Sequence, residues 1–84
     1  MNLGEQLKDL REKHNMSRED LAQKMNVSRQ AVYKWETNKD YPDIDNLIRL
    51  SDLYEVTLGE LIKGDPVFQK KIAVDEQKKV GNDL

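Results

Sequence analysis

The chain contains no cysteine, a single histidine and no long run of apolar residues. The first absence removes disulfides and thiolate metal sites as supports of the fold, which suits a reducing compartment. The single histidine, His14, is placed where a helix should end, so a cap or surface role is expected of it rather than metal binding, and Ser17 and Ser28 are accounted for as helix caps rather than nucleophiles. No segment approaches the roughly 20 apolar residues of a membrane-spanning helix. The opening "MNLGEQLKDL" lacks a basic stretch followed by an apolar one, so no secretory signal is expected. Strand patterning is missing too, because the β-branched residues are scattered and never alternate over a useful length. There is no glycine-rich phosphate loop, and the carboxylates are spread over exposed helix ends rather than paired. These absences leave an all-α, cytoplasmic, non-enzymatic domain with no metal, cofactor or evident small-molecule ligand as the expectation.

What is present begins with charge. Lys, Arg, Asp and Glu make up 36% of the 84 residues, and the formal net charge is -2. A negative balance ordinarily argues against a polyanionic partner, but its distribution reverses that impression. Residues 11 to 39 hold seven Lys/Arg against four acids, whereas residues 40 to 64 hold two against six. The chain is therefore polar end to end, with its basic part in the first half. At this length one hydrophobic core is only just sufficient, so one domain is expected.

Apolar residues recur with a helical period, and capping residues divide the chain into five short helices. The first is expected from about Leu3 to His14, with Leu3, Leu7 and Leu10 on one stripe and Asn15 as a left-handed stop. Ser17, Ser28, Asp43 and Thr57 are the expected caps of four more, ending near Met25, Thr37, Tyr54 and Lys63. Three of these starts carry a hydrophobic staple: Met16 with Leu21, Val27 with Val32, and Val56 with Leu61. Thr57 and Glu60 have the spacing of a capping box.

The stretch "SREDLAQKMNVSRQAVYKWE", residues 17 to 36, places two of these helices unusually close together. On a wheel at about 100° per residue, Arg29, Gln30, Tyr33, Lys34 and Thr37 fall within an arc of about 140°. Ala31, Val32 and Trp35 lie opposite, so one face can be buried while the other presents cations, an amide, a phenol and a hydroxyl. Trp35 is then a core residue. Ala22 is small enough for the helices to approach, and Val27 plugs their turn. A helix of this kind fits the major groove of B-DNA, where arginine pairs bidentately with a guanine edge and glutamine with an adenine edge. Arg29 and Gln30 follow the cap directly, where a helix end reaches deepest. Tyr33 and Lys34 are further candidate base contacts, and Ser17 and Arg18 are candidate phosphate contacts.

That stretch, with the following "YPDIDNLIRLSDLYEVTLGELIKGD", resembles the Xre family of bacterial and phage helix-turn-helix regulators, the Cro and lambda-type repressors. The resemblance covers about residues 3 to 64. It implies a five-helix lambda repressor-like domain with residues 18 to 25 as positioning helix and 29 to 37 as recognition helix. It implies base contact at Arg29, Gln30 and Lys34. Phosphate contact is implied at Ser17, Arg18 and Ser28 and in the loop after the recognition helix, with Thr37, Asn38, Lys39 and Tyr41 as its candidates. It further implies a structural pair between Arg11 and Glu36. Two departures stand out. Asn26 and Asn38 replace the usual turn glycines, which asparagine tolerates. Asp40 and Asp43 make the loop more acidic than in many relatives.

Residues 1 to 64 are thus expected to be the DNA-binding domain and 65 to 84 a C-terminal extension. Asp65 and Pro66 read as a helix start, Phe68 and Ile72 lie one turn apart, and the chain beyond Val74 is polar and expected to fray. Packing of Phe68 back onto the core is the first expectation for this segment, with a subunit contact or the start of a linker as the alternatives. One reading head recognises few base pairs, so a homodimer on an inverted repeat is expected, with half-sites about 34 Å apart. Leu58, Leu61, Ile62, Phe68 and Ile72 are the candidate dimer surface. Double-stranded DNA is the expected partner and repression by promoter occlusion the expected action. The alternatives are an antitoxin-type protein-binding module or the N-terminal domain of a longer regulator.

Overall fold

A computed structural model describes residues 1–72 of the chain. They form α1 (Leu3–Lys13), α2 (Arg18–Met25), α3 (Arg29–Glu36), α4 (Ile44–Tyr54) and α5 (Leu58–Lys63). Residues 66–72 are helical as well and are designated α6. No strand occurs among the described residues, and no described helix is long and apolar enough to cross a membrane. The part of the extension expected to fray lies outside the described residues.

Each of the first five helices begins on a side-chain oxygen that accepts from a backbone N–H one turn on. The pairs are Asn2 with Glu5, Ser17 with Asp20, Ser28 with Ala31, Asp43 with Asn46, and Thr57 with Glu60. Each such cap contributes about 1 kcal/mol, a large share of the stability of helices this short. The reciprocal capping box, expected at Thr57, is instead found at Ser17: its N–H donates to Asp20 Oδ2 at 3.0 Å, and the Asp20 N–H returns a bond to Ser17 Oγ at 3.0 Å. That N–H and the Ser17 hydroxyl hold the Asp20 carboxyl below the usual carboxylate range. At Thr57 only the forward bond from Glu60 N–H forms, and the exposed Glu60 side chain is left to water.

Three asparagines take the left-handed conformation that ends a helix or turn, Asn15 (φ 56°), Asn26 (φ 55°) and Asn38 (φ 60°). Their short amides tolerate it better than most side chains. Glu55 (φ 54°) does the same after α4 without that advantage. Replacing Glu55 with glycine should therefore raise stability by about 0.5–1 kcal/mol, the relief of the Cβ clash outweighing the extra freedom of the unfolded chain. Chemical denaturation checks this, and an unchanged or lower midpoint would count against strain at Glu55.

The core draws Leu3 and Leu7 from α1, Leu21 from α2, Val32 and Trp35 from α3, and Leu47 and Leu50 from α4. α1 crosses α3 closely because Gly4 carries no side chain. A Cβ there would lie 2.7 Å from the backbone oxygens of Trp35 and Glu36. The Gly4 N–H donates to Asn38 Oδ1 at 3.0 Å, pinning the start of α1 to the end of α3. Asp65 is buried and serves two helices at once. Its Oδ2 accepts from Leu3 N–H at 2.9 Å, and its Oδ1 accepts from Val67 and Phe68 N–H at 3.1 Å each. Phe68 then enters the common core, only 4% exposed. Residues 65–72 are packed into the domain rather than appended to it.

That packing revises the expected dimer surface. Leu61 and Phe68 are spent inside the chain, at 1% and 4% exposure, and are not available to a second copy. Leu58, Ile62 and Ile72 pack against the core but are only half-buried, so part of each remains accessible.

Candidate nucleic-acid interface

α2 and α3 are joined by the tight turn at Asn26 and Val27, where the Val27 N–H donates to Ala22 O at 3.0 Å. Buried Leu21, Ala22 and Met25 hold α2 against the core, and Val32, Trp35 and Glu36 do the same for α3. The opposite side of α3 presents Arg29, Gln30, Tyr33 and Lys34, all exposed. Ser17 and Ser28 stand at the N-termini of the two helices. Each hydroxyl oxygen accepts a capping N–H, which leaves its proton free to donate outward. A shallow cleft between the helix starts is lined by Arg11, Ser17, Arg18, Glu19, Arg29, Gln30 and Tyr33.

Under this cleft lies a buried charge cluster. The Glu36 carboxylate accepts from Arg11 Nε at 2.8 Å, Arg11 Nη2 at 3.1 Å and Arg18 Nε at 3.1 Å. Arg11 Nη1 donates to Met16 O at 2.8 Å, so α1, the α1–α2 turn and α3 converge on one guanidinium. The bond to Glu36 holds the Arg11 pKa above its ordinary value against the opposing effect of burial. Two guanidinium groups meet one carboxylate, which leaves the floor of the cleft with a surplus positive charge. The Tyr54 hydroxyl is buried beside this cluster with no hydrogen-bond partner among the described residues, and burial followed by the charge of Glu36 pushes its pKa up.

Residues 7–61 match the helix-turn-helix family. The chain belongs to that family. The chain is 40% identical over 68 residues to the HTH-type transcriptional activator BcrR of Enterococcus faecalis, covering 81% of this chain and 33% of that protein. It is 34% identical over 79 residues to the uncharacterized HTH-type transcriptional regulator YqaE of Bacillus subtilis, covering 94% of this chain and 66% of the relative. The identity to ImmR, another HTH-type transcriptional regulator of Bacillus subtilis, is 34% over 70 residues, covering 83% of this chain and 55% of that one. The chain thus spans about a third to two thirds of the length of these relatives.

Within the helix-turn-helix, the expected base-reading residues Arg29, Gln30, Tyr33 and Lys34 are brought onto one exposed face. Of the expected backbone-contacting residues, Ser17, Ser28, Asn38 and Lys39 are exposed. Several of the set make internal contacts as well. Arg18 spends its Nε on Glu36, and its guanidinium carbon lies 5.4 Å from the centre of the Tyr33 ring, leaving its outer nitrogens for a ligand. Thr37 Oγ1 donates to Tyr33 O at 2.8 Å, so its proton is committed to α3. Asn38 gives its carbonyl oxygen to Gly4 and keeps its amide protons. Lys39 Nζ approaches the Tyr33 ring to 5.5 Å. Tyr41 is half-buried, stacked on Phe68 with ring centres 4.6 Å apart.

His14 has a structural place: its Nδ1 donates to Leu10 O at 2.8 Å, and its ring packs 5.1 Å from that of Tyr54. Among the described residues no group of three or more His, Cys, Asp or Glu is placed to hold a metal ion. Asp65 caps the helix start expected of it, but its bond to Leu3 and the role of Gly4 escaped the sequence. A glycine in a helix's first turn was a usable signal for close approach, whereas nothing local marks Asp65 as a partner of Leu3.

Proposed function

We propose that this helix-turn-helix chain is a sequence-specific DNA-binding transcription regulator that binds an inverted repeat as a homodimer and acts chiefly by occluding a promoter. The observation that carries this reading is the division of α3. Val32, Trp35 and Glu36 are buried on one side, while Arg29, Gln30, Tyr33 and Lys34 are exposed on the other. With α3 in the major groove, Arg29 and Gln30 at its start read base edges, and Tyr33 and Lys34 one turn on reach further bases. Ser17, Arg18 and Ser28 contact phosphate on one flank and the loop of Thr37, Asn38, Lys39 and Tyr41 on the other, fixing register without reading sequence. The surplus charge above Glu36 strengthens this clamp. Activation is a second reading, favoured by the name of the Enterococcus relative; the position of the operator relative to the promoter decides between them.

The test is selection of bound duplexes from a random pool by the purified chain at near-physiological salt. Enrichment of an inverted repeat is the expected result; a pool that stays random removes the reading. Arg29→Ala should then lose roughly 1–3 kcal/mol of discrimination at one base pair of each half-site, about five- to 150-fold in relative affinity, with the other positions unchanged. A uniform loss across all sequences would reassign Arg29 to the backbone. For the dimer, Leu58, Ile62 and Ile72 form the candidate contact. Sedimentation that shows a monomer at tens of micromolar, with and without operator, sinks that part.

A further inference from the structure

The loop after α3 presents a difficulty for a DNA-binding surface. It holds Lys39 as its one cation between Thr37 and Asp43, against exposed Asp40 and Asp43. Yet it continues α3 directly, because the Lys39 N–H donates to Lys34 O at 2.9 Å. An anionic loop at the end of a recognition helix repels the phosphates it should approach.

The structure supplies a cation from elsewhere in the chain. α6 is held by the Asp65 cap and by buried Phe68. Phe68 stacks on Tyr41 of the loop at an interplanar angle of 18°. One helical turn on, Lys71 lies on the same side of α6, and its Nζ is 5.1 Å from the centre of the Tyr41 ring. Lys71 is exposed. The arrangement parallels that at Tyr33, whose ring is flanked by Arg18 and Lys39. Two tyrosine rings on the α3 side thus each orient cations, and the last of these comes from outside residues 7–61, the segment that matches the family.

We propose that Lys71 is a DNA-backbone contact: α6 carries its ammonium to the rim of the loop that follows α3, where it binds a phosphate and offsets Asp40 and Asp43. The inference rests on the DNA-binding reading above. A lysine on this turn acts as a point charge without sequence information, so its removal weakens all duplexes alike. A flexible ammonium stem resting on a fixed aromatic ring loses less freedom on binding than one free in solvent.

The experiment measures affinity for the enriched duplex between about 50 and 200 mM salt, for the full chain and for Lys71→Gln, Lys71→Arg and Lys8→Gln. Lys71→Gln is expected to reduce the steepness of log Kobs against log[salt] by about 0.9 per bound chain, and to weaken enriched and unrelated duplexes by the same factor. Lys71→Arg should restore the slope, and Lys8→Gln, on the exposed side of α1, should leave it unchanged. Thermal melting verifies that Lys71→Gln is folded. An unaltered slope in Lys71→Gln, an affinity loss without a slope change, or an equal slope change in Lys8→Gln each overturns the contact while leaving the DNA-binding reading in place. Failure of the unmodified chain to bind any duplex in a salt-dependent way overturns both.

Discussion

Arg11→Ala should lower the stability of this domain by about 3 kcal/mol, which for a chain of this size is a fall of roughly 12–24 °C in melting temperature. The Glu36 side chain is 1% exposed, and Arg11 supplies two of the three donors that satisfy it. Without Arg11 the carboxylate keeps only Arg18, whose side chain is 35% exposed and therefore screened by water. The remaining partner holds the loss to the lower part of the range expected for a broken buried pair. The Met16 carbonyl loses its donor in the same substitution, so the turn that sets the angle of α2 loosens as well. A double variant, Arg11→Met with Glu36→Leu, should recover most of the loss, because a buried charge left alone costs more than no charge. Differential scanning fluorimetry on the single and double variants reads both effects. A single variant that melts within a degree or two of the parent shows that the pair does not support the fold.

Phe68→Ala should cost about 3–5 kcal/mol, the usual penalty for emptying a buried phenylalanine site. The ring is 4% exposed and joins the core cluster that includes Leu3, Leu7 and Trp35. It also backs Tyr41, so its loss leaves that ring without a stacking partner and releases the loop that carries Asn38 and Lys39. Truncation after residue 64 should be worse still, since it also removes the carboxylate that receives the Leu3 N–H. Urea unfolding gives the energy directly, and a change in midpoint with an unchanged slope identifies a loss of packing rather than a change in the unfolded chain. A cost below about 1 kcal/mol would place Phe68 at the surface. Both substitutions should also weaken DNA binding by letting the reading head shift.

Much of the fold was legible because it is local. A helix start is a contest between a few backbone N–H groups and one nearby side-chain oxygen, so Ser17, Ser28, Asp43 and Thr57 announce their helices within four residues. The exposed face of α3 follows from periodicity alone: once Val32 and Trp35 turn inward, Arg29, Gln30, Tyr33 and Lys34 have nowhere to go but outward. The left-handed turns at Asn15, Asn26 and Asn38 belong to the same class, and Glu55 shows its limit. There the geometry of α4 against α5 imposes a conformation for which the residue has no preference.

The basic character of residues 11 to 39, the helix boundaries and the set of side chains that face outward on α3 were determined by the sequence itself, because each depends on neighbours within a turn or two. Only the tertiary structure decided how those side chains are spent. Arg18 shares Glu36, and Leu61 and Phe68 are consumed by the core instead of a dimer contact. It also decided that Asp65 fastens α6 to α1 and that Lys71 reaches Tyr41. These partners are about 18 to 62 residues apart in the main, and no periodicity or propensity encodes a distance of that kind. It is set by the packing of a small core, in which one missing Cβ at Gly4 allows α1 close enough to α3 for the rest to meet.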